Sequence, residues 1–268
     1  MIPHVPDLIR QGNEAFARGD NRAAIAFYQQ ALTASRGDPD HLADLYGNIG
    51  NVYGTIGDPA AARVHYGKAI VILREKEDYT RLGITFTNLG NLDVDQNNSD
   101  EAIRWYKQAA LLLEQEGQDA ACATLYCNIA LALRQKADLP AARSYAEQGL
   151  QLAEKCRDHR LIAAAALLLS TVQRAAGEID AALRHAEMAY TLYAQSSDEM
   201  DIAATLYHQA ALYEARHDWE AACRCMERVV EIDEKYQLPK LAENRVRLAR
   251  LRTALRYPQD NGGQWGCP

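Results

Sequence analysis

Bulky side chains are scarce in this chain: 268 residues hold only 3 Phe, 3 Trp and 4 Met. A core without that bulk has to be built by bringing elements close together. Long apolar runs are missing too. The longest, Leu161 to Leu169, is about half of the ~18 residues a membrane span needs, and it ends in Ser170 and Thr171. The first residues, Met1 to Asp7, supply neither a basic n-region nor an apolar h-region, so no secretory signal is expected and the expected location is cytoplasmic. Excess positive charge is also absent. A net charge of -7 and a pI near 5.5 argue against a general affinity for nucleic acid, which needs a basic field over the contact surface.

Catalytic and metal-binding signatures are missing as well. The six cysteines, Cys122, Cys127, Cys156, Cys223, Cys225 and Cys267, contain no C-x-x-C pair and no framework of a small secreted domain, so neither a zinc site nor a disulfide scaffold is expected. They read as small core residues, apart from Cys267. Cys223 and Cys225 are two apart on a helix and point to different faces, which suits packing rather than redox chemistry. No G-x-x-x-x-G-K-[ST], G-x-G-x-x-G, H-E-x-x-H or G-x-S-x-G occurs. The seven His fall in different registers, none at metal-ligand spacing to another His or a Cys. The sequence therefore offers no catalytic residue, no cofactor and no metal ligand set, and an enzyme is the weakest class.

What the chain does have is 46 Ala and a repeat. The segment Tyr46 to Tyr53 aligns with Phe86 to Asp93 and with Tyr126 to Leu133 at shifts of 40. Extending the register places small residues at Gly12, Gly50, Gly90, Ala130, Ser170 and Ala210, with spacings of 38, 40, 40, 40 and 40. Twelve residues after each stands Ala24, Ala62, Ala102, Ala142, Ala182 or Ala222. Six units follow. Apolar residues within each unit recur at three- and four-residue spacing over two stretches, which predicts two antiparallel helices per unit. Eight residues after each small position come Asp20, Asp58, Asn98, Asp138, Glu178 and Asp218, the residue types that cap a helix N-terminus. Gly19, Gly57 and Gly177, just before three of these, suit the left-handed residue that ends the preceding helix. At the Gly12/Gly50/Gly90 column a side chain would hold the two helices of a unit apart. Bulk comes from Tyr28, Tyr66 and Tyr106, sixteen residues on, and from Tyr46, Phe86 and Tyr126, read as core wedges whose hydroxyls reach solvent or a backbone carbonyl.

The wording around Leu89-Gly90-Asn91 and Ala102 to Ala109, with Gly57-Asp58 between helices, resembles the tetratricopeptide repeat in a 40-residue variety with lengthened helices. The resemblance covers about Asp7 to Arg256. It is strong in the first three units and weaker in the last three, where Ala130, Ser170 and Ala210 replace Gly and Ala146, Ala186 and Met226 replace Tyr. It implies an all-α, right-handed solenoid of six helix pairs whose first helices line a concave groove, and scaffolding rather than catalysis. The units are expected at about 7–40, 41–79, 80–119, 120–159, 160–199 and 200–238, with a cap over 239–256 and a flexible tail over 257–268.

The cap carries Leu241, Leu248, Leu251 and Leu255 on one stripe with Asn244 between them. Its six Lys and Arg against one Glu give +5, which leaves -12 on the rest of the chain. Two readings compete: a solvated cap pairing with Asp198, Glu199 and Asp201, or a dock for an acidic partner or nucleic acid through the basic helix 240–256. In the tail, Trp265 and Cys267 stand among Gly and Pro, as a poorly ordered end or a short aromatic motif.

The same resemblance brings three columns of each first helix to the groove, and from these the candidate partner-binding residues are drawn: Asn13, Gly47, Asn51, Gly54, Thr87, Asn91, Leu131, Arg134, Thr171, Arg174 and Tyr207. An amide ladder, Asn13, Asn51 and Asn91, lines the first half and suits pinning of an extended peptide backbone. The competing reading makes the amides structural, which is the expectation for Asn48, Asn88 and Asn128. Gly47, Gly50, Gly54 and Gly57 share one helix face, and each interior Gly costs about 1 kcal/mol against Ala. Either a neighbouring helix approaches closely at Gly47 and Gly54, or a bare strip of backbone there forms a pocket. Arg134 and Arg174 could clamp a carboxylate or phosphate, or pair with acidic residues across the groove. Three functions are consistent with these features: an adaptor binding an extended segment of a partner protein, a peptide-sensing regulator, and a scaffold that self-associates through its ends.

Overall fold

The computed structural model describes residues 4–35, 37–196 and 198–257, and among these every regular element is an α-helix, thirteen in all. Trp265 and Cys267 lie outside the described residues. The chain divides into two compact units, residues 1–136 and 137–268. The first holds α1 (Val5–Ala17), α2 (Asn21–Ala34), α3 (Pro39–Thr55), α4 (Pro59–Glu75), α5 (Tyr79–Asp95), α6 (Ser99–Gln115) and α7 (Asp119–Gln135). The second holds α8 (Leu139–Cys156), α9 (His159–Ala175), α10 (Ile179–Ser196), α11 (Glu199–Ala215), α12 (Trp219–Tyr236) and α13 (Leu241–Arg256). Within each unit successive helices pack on one another, so the fold is the all-α stack of helix pairs that the register predicts.

Acidic caps set most of the helix starts. Asp20, Asp58, Asp138 and Asp218 each accept a hydrogen bond from the backbone N–H three residues on. Asn98 does not cap α6 with its side chain, and Glu178 accepts from Arg143 instead, at 2.6 Å. A second cap column, Asp38, Asp78, Asp158 and Asp198, starts four of the six first helices in the same 40-residue register and is not among the caps expected from the sequence. Between paired helices Gly19, Gly57 and Gly177 adopt φ of 78°, 79° and 80°, and Asn97, Ala137 and His217 hold the same left-handed conformation without glycine's freedom.

The small-residue column works through the tyrosines. A Cβ on Gly50 would sit 2.6 Å from Cε1 of Tyr66, and Gly12 and Gly90 are equally overlain by the rings of Tyr28 and Tyr106. The ring lies flat on the bare backbone, so the glycine makes room for the wedge rather than for the neighbouring helix as a whole. These rings are 1 to 3% exposed, and burying one is worth on the order of 2–3 kcal/mol. In the second unit Ser170 fills the column with a polar link. Its Oγ donates to the Ala182 carbonyl at 2.6 Å and lies 2.8 Å from Nε2 of buried His208. The single hydroxyl proton goes to the carbonyl, so His208 donates from Nε2.

The last helix closes the second unit. Leu248 and Leu251 are buried against Val229, Val230 and Met226, and buried Asn244 donates to buried Asp233 at 2.7 Å. The basic residues pair, but not with the expected partners: Arg245 meets Glu234, Arg247 meets Glu214 and Arg252 meets Glu227. Asp198 and Asp201 are held by Arg160, and Glu199 by Lys235 and Arg228. At the seventh step of the register Arg250 stands exposed where earlier helices carry Gly, Ala or Ser.

Candidate partner-binding face

The amide ladder is a hydrogen-bonded structure. Tyr28, Tyr66 and Tyr106 each donate their hydroxyl to Oδ1 of the asparagine fifteen residues earlier, Asn13, Asn51 and Asn91, at 2.7 Å in all three cases. The hydroxyls therefore reach a side-chain amide, where solvent or a backbone carbonyl was expected. Burial pushes the Tyr66 and Tyr106 phenols up to about 12, with the charges of Asp95 and Asp93 adding to the effect at Tyr106. A second donor comes from the next helix pair: Asn48 Nδ2 donates to Asn13 Oδ1 at 3.4 Å, and Asn88 Nδ2 to Asn51 Oδ1 at 3.0 Å. Asn48 and Asn88 are structural, as expected, and each of these two ladder carbonyls accepts twice. What Asn13 and Asn51 keep for a partner is the NH2 group, two donors each.

The ladder breaks at its third step. Among the described residues no bond joins Asn128 to Asn91, and a cleft of about 200 Å³ opens between α5, α6 and α7 instead. Asn91, Val94 and Asp95 line it from α5, Tyr106 from α6, and Asn128, Leu131 and Gln135 from α7. Register explains the change, because Leu131 replaces the next amide and Ala146 the next wedge tyrosine. Of the predicted residues the cleft gathers Asn91 and Leu131. Asp95 and Gln135, one residue further along their helices than the columns considered, are the lining residues the sequence reading lacks; their repeat equivalents Thr55 and Ala175 give no acidic or amide pattern to notice.

Elsewhere on this face, nothing lies within 4 Å of the position a Gly47 Cβ would take, and one on Gly54 would make an ordinary 3.6 Å contact with Leu92. Close helix approach is therefore not what keeps Gly47 bare. Thr87 turns its hydroxyl onto the Gly83 carbonyl at 2.9 Å, and Thr171 onto that of Leu168 at 2.7 Å. Arg134, in the first unit, has a buried Nε without a hydrogen-bond partner, and Arg174, in the second, is exposed. Tyr207 is 45% exposed, yet one ring face carries the Arg247 guanidinium at 4.3 Å, so the last helix covers part of this position. Cys127, also in a groove column, is pushed up to about 11 by burial, which leaves it a protonated, unreactive thiol. Among the described residues no His, Cys, Asp and Glu group could hold a metal ion, and no helix is long and apolar enough to cross a membrane.

Several solved structures share this architecture. BtubC (BKLC) from P. vanneervenii superposes with a TM-score of 0.68 at 19% identity, covering 97% of both chains. A signal transduction ATPase with numerous domains (STAND) protein with a tetratricopeptide repeat sensor, from Pyrococcus horikoshii, gives a TM-score of 0.82 at 15% identity, over 96% of this chain and 39% of that one. A Rap protein complexed with competence and sporulation factor gives 0.62 at 17% identity, over 94% and 76%. At such identities these likenesses speak for the fold. No curated protein sequence matches the chain. The model of the MalT-like TPR region matches residues 8–261, and the chain belongs to that family of tetratricopeptide-type repeats.

Proposed function

We propose that this chain is a protein-interaction scaffold that holds an extended segment of a partner along the face formed by its first helices. The observation that carries this reading is the openness of that face in the first unit: Gly47 is bare and the ladder amides retain unspent NH2 donors. A peptide laid there meets donors for its carbonyls at Asn13 and Asn51, and the cleft at Asn91 can take a side chain. The tetratricopeptide family supports scaffolding over catalysis.

A second reading, a regulator that responds to a short peptide, is favoured by the likeness to a Rap protein solved with competence and sporulation factor. The test is selection of a displayed random-peptide library on the full chain. Enriched sequences are then rebound to Gly47→Trp, which fills the open face, and to Val71→Trp on the exposed side of α4. Loss of binding in Gly47→Trp alone is the expected result. Equal binding to both variants, or loss only in Val71→Trp, would overturn the assignment of the face. Small-angle scattering with an enriched peptide separates the two readings, since a regulator changes dimensions on binding and an adaptor does not.

A further inference from the structure

We infer that the cleft at the broken step of the ladder seats a guanidinium, the head group of an arginine carried by the partner segment; this rests on the reading of the first-helix face as the binding face. The cleft sets a carboxylate and open amide acceptors beside the NH2 groups of its amides. Among the described residues Asn91 Oδ1 accepts only the Tyr106 hydroxyl, whereas Asn13 and Asn51 accept a second N–H from the next helix pair. One acceptor site on Asn91 therefore stands open where its two predecessors hold an amide donor, and a ligand N–H is the group that completes the pattern.

The carboxylate of Asp95 lines the same cleft, and among the described residues no cation pairs with it. Lys136, at the end of α7, is bound to Asp100, and neither it nor Arg134 lines the cleft. Gln135 adds an amide whose Oε1 receives, among the described residues, only a long 3.4 Å bond from Ser99. Both α5 and α7 end at the cleft, at Asp95 and Gln135, so the negative ends of two helix dipoles reinforce the carboxylate.

The carboxylate of Asp95, the open acceptor of Asn91 and the two helix C-termini thus favour a positively charged donor, and the apolar wall of Val94 and Leu131 suits a methylene stem. Guanidinium fits better than ammonium. Its planar fork can give two parallel N–H bonds to Asp95 and a further one to Asn91, and it sheds water more readily than an ammonium ion.

The test uses the full chain, isotope-labelled for NMR, titrated with Nα-acetyl-argininamide and with Nα-acetyl-citrullinamide, which has nearly the same shape without the charge. Argininamide is expected to shift the side-chain amide resonances of Asn91, Asn128 and Gln135 saturably, and citrullinamide to leave them in place. Asp95→Asn, an exposed change, should weaken argininamide binding about tenfold, equivalent to ~1.4 kcal/mol, at unchanged melting temperature. No shift with argininamide, equal shifts with both probes, or undiminished binding to Asp95→Asn would each overturn the guanidinium site. None of these touches the peptide selection on Gly47→Trp, so failure here and failure of the binding face are told apart.

Discussion

The hydroxyl of Tyr66 donates to Oδ1 of Asn51 at 2.7 Å, and Asn88 of the next helix pair donates to the same oxygen at 3.0 Å. One carbonyl thereby ties a helix to its pair mate and to its neighbour. Tyr66→Phe keeps the ring on Gly50 and deletes one bond, so a loss of about 1 kcal/mol is expected by urea denaturation. Asn51→Leu removes the shared acceptor and leaves a buried hydroxyl and an amide unpaired, which should cost about twice as much.

Buried tyrosines set an alkaline limit. Tyr66, Tyr106 and Tyr193 are held up to about 12 by burial, against an ordinary value near 10 in the unfolded chain. Between about pH 10 and 12 the unfolded state has released protons that the folded state keeps, so stability falls as pH rises. Their contribution is complete below about pH 10 and lost through about pH 12. Melting temperatures across this window should drop, and the drop should be shallower in Tyr66→Phe/Tyr106→Phe.

Two glycines on one helix should respond oppositely to alanine. Gly47→Ala enters open space and removes a helix-breaking residue, so stability should rise by up to about 1 kcal/mol. Gly50→Ala drives a methyl group into the Tyr66 ring and should cost about 2 kcal/mol. Denaturant midpoints of the two variants at equal m-value check the pair, and a destabilised Gly47→Ala would show that the backbone there is not free.

The register of the fold was legible because its columns are local physics. A helix needs a cap at Asp58, a left-handed residue at Gly57 and no bulk at Ala62; the left-handed residue and the Ala recur in all six units, and the side-chain cap in four of them. Asp38, Asp78, Asp158 and Asp198 obey the same rule and are open to the same reading. The face for a partner was legible only as a set of positions. Whether Asn51 is a lock or a ligand depends on which rotamer meets Tyr66 and Asn88, and no spacing fixes that. The cleft arises from what is missing at one step, a donor to Asn91, and its most telling residue, Asp95, has no counterpart in the other repeats.

Left-handed residues other than glycine offer a stabilising substitution. Arg157 ends α8 at φ 55°, a conformation costing about 1 kcal/mol for a side chain with a Cβ. Arg157→Gly should therefore raise stability by about that amount, less whatever the cation contributes at the helix C-terminus. Arg157→Ala removes the charge while keeping the Cβ and should show no gain, so the difference between the two variants measures the backbone effect alone.

Arg63 and Asp93 join α4 to α5 through a 2.6 Å contact in which the carboxylate is buried and the guanidinium partly exposed. Asp93 Oδ1 also lies 3.4 Å from Asn98 Nδ2, and its Oδ2 has no hydrogen-bond partner. Such a carboxylate depends heavily on its one cation. Arg63→Met should cost about 3 kcal/mol, because it leaves a buried charge uncompensated. Arg63→Met/Asp93→Leu replaces the pair by apolar groups and should recover most of that loss. The sign of the coupling is then diagnostic: the double variant will be more stable than Arg63→Met alone. Additive losses within about 0.5 kcal/mol would mean that the two side chains act independently and that α4 and α5 are held by packing alone.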